Sequence, residues 1–306
     1  MRCILCGNAG LLIIRDYIYK STFFLHQFPG LKLLKCGSCG LLQVAHDDIN
    51  RYDLNRYYLD FYRKKAGIAG NNSPLDNAWY GARAQALAEL AREHFPNIKQ
   101  KINVFEVGAG YGYNLLAVKN IFTGAVLFTD EVDQSIIYSG GIARAGLSEN
   151  KYDILIMSHV LEHLVYPCGF MVSAIDNLNT GGIIIIEVPN EQPMYEGLLE
   201  YDFHEPHLSF FSADLLKYFI QYNFSDSVKI EVLSSAGPAM DARRTTLKKF
   251  FQSIRRAAPR PLLGIALDVK HFTSRIINKK KSYSFDFRSA PEDLSRIFLR
   301  IVLRKL

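Results

Sequence analysis

The stretch KINVFEVGAGYGYNLLAVKNI, residues 101–121, constrains this chain more than any other. An apolar run ending at Glu106 leads into Gly108, Gly110 and Gly112 and then into a helical pattern, so strand, glycine turn and helix are predicted in succession. Three alternate glycines let the main chain approach a ligand closely. Their E-x-G-x-G-x-G spacing differs from the dinucleotide G-x-G-x-x-G. A carboxylate at the strand end repels a pyrophosphate but suits a cationic or amino-bearing ligand.

The flanks repeat the alternation. SPLDNAWYGARAQALAELAREHF carries an N-cap at Ser73, a first-turn Pro74 and a carboxylate at Asp76, which predicts a helix reaching about Phe95. YDILIMSHVLEHLVYP reads as a strand over 153–158 and a short helix, and GGIIIIEVPN as a turn and a fully apolar strand ending at Val188. Such alternation predicts an α/β fold, a parallel Rossmann-like sheet with ligand at the carboxyl ends of its strands. Hydrophobic residues at 49% and charged residues at 22% exclude a disordered chain. No apolar run reaches the roughly 18 residues of a spanning helix. MRCILCGN does not read as a signal peptide, so a cytoplasmic protein is expected.

Glu106 and the three glycines resemble the first motif of the class I S-adenosylmethionine-dependent methyltransferases, and the resemblance runs from about Ser73 to Ser235. It implies S-adenosylmethionine as cofactor, bound at Glu106, Gly108, Gly110 and Gly112. It also implies a second acid at the next strand end for the ribose hydroxyls. AVLFTDEVDQSI offers Glu131 and Asp130, of which Glu131 is preferred; a solvated turn acid is the plainer alternative. YSGGIARAGLSENKYD has no clear acid for the adenine amino group, leaving backbone near Gly141 and Ile142.

Cys3 and Cys6 form one CxxC, Cys36 and Cys39 another, with 29 residues between the pairs. Each pair can wrap one side of a tetrahedral ion, so a structural zinc ribbon is predicted. A redox pair or buried reduced thiols are the alternatives. Cys168 stands alone and reads as a small buried apolar residue.

Methyl transfer requires alignment and, for many nucleophiles, a base. In YDFHEPHLSFFSADLLKYF, His207 and then His204 are the candidates, with a helix capped at Ser212 following. The plainer role for His207 is a structural hydrogen bond. Glu162 and His163 are expected to shape the loop after the fourth strand. CGLLQV and HEPHLSFF, taken with the core, resemble zinc-containing sugar C-methyltransferases, which implies an active-site His at His207 and a sugar, nucleotide-sugar or glycan substrate methylated on carbon or oxygen.

The charge is uneven: residues 240–306 carry +12 and the remainder −6. In DLSRIFLRIVLRKL, apolar residues at helical spacing and Arg296, Arg300 and Arg304 four apart predict an amphipathic helix. It would pack on the core or lie peripherally on the inner face of a membrane. The predicted organisation is a zinc module over 1–50, a linker over 51–72, a methyltransferase core over 73–235 and a basic, mainly helical extension over 236–306. Two further functions compete. A zinc-containing RNA methyltransferase is disfavoured by the lack of an NPPY-like tetrad. A non-catalytic zinc-ribbon scaffold is the other.

Overall fold

The computed structural model describes residues 1–17, 28, 30–45, 49, 54, 56–58, 74–96, 101–192, 207–239, 287–291, 293–294 and 296–306. Two sheets organise them. The smaller is antiparallel and joins β1 (Leu11–Asp16), β2 (Lys32–Cys36), β3 (Leu42–Val44) and β9 (Ser209–Phe210) in that order. Its fourth strand thus comes from 165 residues further along the chain than its third.

The larger sheet has seven strands, ordered β10-β11-β8-β7-β4-β5-β6. These are β4 (Ile102–Glu106), β5 (Ala125–Thr129), β6 (Ile142–Arg144), β7 (Tyr152–Ser158), β8 (Leu178–Pro189), β10 (Val228–Ala239) and β11 (Arg296–Lys305). From β6 to β8 all pairings are parallel, as the alternating pattern predicts. Successive residues face opposite sides, so each strand feeds two cores. Leu155, Met157, Ile184 and Ile186 pack toward α3 (Pro167–Asp176) and α4 (Ala213–Phe224). Ile154, Ile156, Ile183 and Ile185 pack toward α1 (Pro74–His94) and α2 (Tyr113–Ile121). Coverage of both faces is why these strands read as unbroken apolar runs.

The predicted terminal helix is a strand. β11 lies between β8 and β10 and pairs antiparallel with both. A spacing of four is even, so the arginines that would form a helical stripe also share one face of a strand. On that face Arg300 meets Glu187 and Arg304 meets Glu231, while Leu299, Ile301 and Leu303 enter the core behind. β11 is thus an interior strand of the sheet, with Leu299, Ile301, Val302 and Leu303 buried. The rest of the predicted extension, residues 240–286, lies outside the described residues, as do Ser73 and most of the predicted linker. Among the described residues no helix is long and apolar enough to cross a membrane.

Candidate active site

β4 delivers Glu106 to the edge of the glycine turn. Gly108, Gly110 and Gly112 all take positive φ, at 57°, 57° and 78°. At Gly112 an added Cβ would also stand 2.7 Å from Ile142 Cδ1, so that side-chain tip would have to move. The turn is braced by acids from the end of β5: Asp130 Oδ1 accepts from Gly108 N at 2.9 Å and Glu131 Oε2 accepts from Gly110 N at 2.7 Å. Tyr138 Oη donates to Gly110 O at 2.8 Å, and Arg144 donates to the carbonyls of Glu131, Asp133 and Ile136. The loop after β5 is thereby folded against the turn, with Ile137 almost fully exposed and Val132 half exposed at its rim.

Glu106 is buried. Its Oε1 accepts from Asn114 Nδ2 at 2.6 Å, whereas Oε2 has no hydrogen-bond partner. Burial pushes this carboxyl up to about 8, against the pull of Asn114 and Arg83. A buried acceptor left in that condition favours an incoming cationic donor.

A charged row continues along the carboxyl ends of β7 and β8. Arg83 of α1 donates to Ser158 Oγ at 2.5 Å and to Glu187 Oε1 at 2.6 Å; Arg300 Nε reaches Glu187 Oε2 at 2.6 Å. Burial would raise the Glu187 carboxyl, but the two guanidinium groups hold it far below the usual carboxylate range. His159, at φ 55°, sets its ring 3.3 Å from Glu162 and 3.7 Å from Glu187.

Glu162 is buried, and neither of its oxygens reaches hydrogen-bond geometry. Burial is outweighed by His159 and His163, which bring its carboxyl down to about 2. Ligand atoms of Glu162, His163 and His207 lie within 4.8 Å of one another, too far for a direct shared proton but close enough for one ion to bridge them. The His163 and His207 rings stand 4.7 Å apart at 71°, and Tyr58 meets the far edge of His163.

His207 Nδ1 is 2.7 Å from Glu191 Oε2. Its backbone is fixed too, since Tyr17 Oη donates to His207 O at 2.6 Å and Leu208 N donates to Glu162 O at 2.7 Å. Burial lowers the affinity of this imidazole for a proton, yet the Glu191 charge prevails and the pKa lies above the usual value.

Of the sequence candidates, Glu106, the three glycines, Asp130 and Glu131 converge on one turn, and His207 joins Glu162 and His163. His204 lies outside the described residues. Sequence reasoning missed Arg83, Glu187 and Glu191. The signal available for Glu187 and Glu191 was a pair of acids four apart at the end of an apolar strand.

The four cysteines gather as predicted. Sγ of Cys3 is 3.6 Å from that of Cys39, and Cys6 is 3.7 Å from Cys36. Four thiolates about 2.3 Å from a tetrahedral zinc would be about 3.8 Å apart, so this donor set fits the ion. Cys168 is half-buried and donates to Ile4 O at 3.2 Å.

Residues 79–226 match a family model described as a methyltransferase domain. Among solved structures, the plantazolicin methyltransferase BpumL in complex with SAH is 13% identical, covering 82% of this chain and 93% of its own, with a TM-score of 0.48. The [4+2]-cyclase SpnF is 15% identical over 72% of this chain and 80% of its own, at 0.42. A possible histamine N-methyltransferase from Thermotoga maritima is 13% identical over 74% and 89%, at 0.42. No curated protein matches the chain.

Proposed function

We propose that the chain, whose residues 79–226 match a methyltransferase-domain model, uses S-adenosylmethionine to methylate carbon or oxygen of a sugar, nucleotide-sugar or glycan, with His207 as base. The observation that carries this is the geometry of His207. Its Nδ1 lies 2.7 Å from Glu191 Oε2, a carboxylate that orients the ring and strengthens it as a base toward a proton from substrate.

The cofactor supplies a methyl group on a positively charged sulfur that is already a good leaving group. The residues of this chain do the remainder. Gly108, Gly110 and Gly112 would admit the nucleoside against bare main chain, and Glu131 and Asp130, which brace that turn, would accept from its ribose hydroxyls. The Oε2 of Glu106 would receive the ammonium of the methionyl part, which favours the ionised carboxylate. Val132 beside Glu131 offers apolar cover for a base. Attack on that methyl group by a substrate oxygen or carbon would release a proton, which residues of this chain must take up. The proton lost by the nucleophile passes to His207 Nε2, and Glu191 stabilises the imidazolium that results. The four cysteines would hold a structural zinc, which closes its coordination shell and leaves no position for substrate.

The sugar assignment rests on HEPHLSFF and CGLLQV together with the cysteine cluster. The test is to incubate zinc-loaded protein and labelled cofactor with nucleotide-sugars, keto sugars and cell glycans. Label in a sugar supports the assignment. Label only in RNA or protein, or in nothing, contradicts it.

A further inference from the structure

The cysteine cluster and His207 are joined by a short physical path. Gly40, at φ 80°, closes the second cysteine knuckle by donating its N–H to Cys36 O at 2.9 Å. Its carbonyl accepts from Gln192 Nε2 at 3.1 Å, and the Oε1 of the same side chain accepts from Leu42 N at 3.1 Å. The buried Gln192 amide therefore grips the chain on both sides of Leu41, directly after Cys39.

The neighbouring residue is Glu191, which holds His207. The N–H groups of both Glu191 and Gln192 donate to one carbonyl, that of Phe211, at 3.1 Å. This dipeptide is thus pinned four residues beyond the histidine it orients. The strand that leaves the knuckle supplies a second connection: Leu42 pairs with Phe210, Gln43 with Ser209, and Val44 N donates to Leu208 O at 2.8 Å. Residues 40–44 hold the histidine segment by its backbone and, through Gln192 and Glu191, by its side chain.

We propose that Gln192 is a positioning residue that couples the cysteine-bound metal to the Glu191–His207 pair. The ion fixes the knuckle that presents Gly40 O and Leu42 N, and Gln192 carries that fixed position to the carboxylate beside His207. Without the ion the four thiols have no common centre to hold them together. The knuckle then loosens, and the buried amide must follow it or give up two hydrogen bonds. The catalytic meaning of this coupling rests on His207 being the base; the coupling itself does not.

The test reads His207 directly and needs no substrate. In zinc-loaded protein saturated with S-adenosylhomocysteine and labelled with ¹⁵N-histidine, the His207 signal is identified by its absence in His207→Gln and titrated. Gln192→Met, matched in length, is expected to keep its zinc and to hold S-adenosylhomocysteine within about twofold. It is expected to move the His207 midpoint down, toward the free value of about 6.5. Removing zinc from the wild-type protein with a chelator moves the midpoint in the same direction. Asn223→Leu, which releases Leu5 O of the first knuckle from α4, leaves the midpoint in place. An unmoved midpoint in Gln192→Met or after chelation overturns the proposal, as does an equal movement in Asn223→Leu. Undiminished turnover in His207→Gln alongside a moved midpoint would retire the base and leave the coupling standing.

Discussion

Glu191 Oε2 and His207 Nδ1, 2.7 Å apart, come from segments 16 residues apart and meet beside the Asn190–Phe211 bridge that links the ends of β8 and β9. His207→Gln should bind S-adenosylhomocysteine as the wild type does and lose turnover by about 10²–10⁴-fold, the range general bases contribute.

The same pair sets a pH dependence. His207 must be unprotonated to act, and Glu191 holds its pKa above the usual value, so turnover rises as pH climbs through that raised value. Glu191→Gln should move this acidic limb to lower pH. The raised pKa also stabilises the fold below the unfolded value near 6.5, a contribution lost as pH rises through the folded value. Urea titrations of wild type and His207→Gln should therefore converge with rising pH.

Glu187 sits between Arg83 and Arg300, with Arg300 fully buried. Glu187→Gln leaves two guanidinium groups without their counter-charge and should cost about 3–5 kcal/mol by denaturant unfolding. The Glu187 pKa is depressed, so its contribution is complete above the unfolded value near 4.3 and disappears as pH falls through the folded one. A loss below about 1 kcal/mol would mean the network is solvated rather than buried.

Deleting residues 296–306 separates the two accounts of the C-terminus. A peripheral helix would be dispensable to the fold, whereas β11 joins β10 to β8 and buries Leu299, Ile301, Val302 and Leu303 completely. The truncated protein should fail to give a cooperative unfolding transition. A soluble truncated protein with an unchanged transition would contradict the strand.

Metal analysis of purified protein should find about one zinc per chain, as one closed four-thiolate site requires. Cys36→Ser should lower both the zinc content and the unfolding midpoint. Full zinc content in that variant would place the ion elsewhere.

The glycine turn was legible because strand, glycines and helix are consecutive in sequence, and the two CxxC pairs because a tetrahedral site needs that local spacing. β11 was misread for a definite reason: arginines four apart satisfy a helix stripe and a strand face equally, and its partner Glu187 lies 113 residues away. No local pattern names the partners of Glu191 and Gln192 either. Their roles arise only when β3 and β9 pair, which brings Gly40 and His207 to the same two residues.

The central claim is that bare main chain between Glu106 and Gly112 seats the charged nucleoside. Titration calorimetry with S-adenosylhomocysteine tests it: the wild type should bind one equivalent and Gly110→Arg none, with the folded state of the variant confirmed by its unfolding transition. Equal affinity in the two proteins, or no binding by the wild type, would contradict the account.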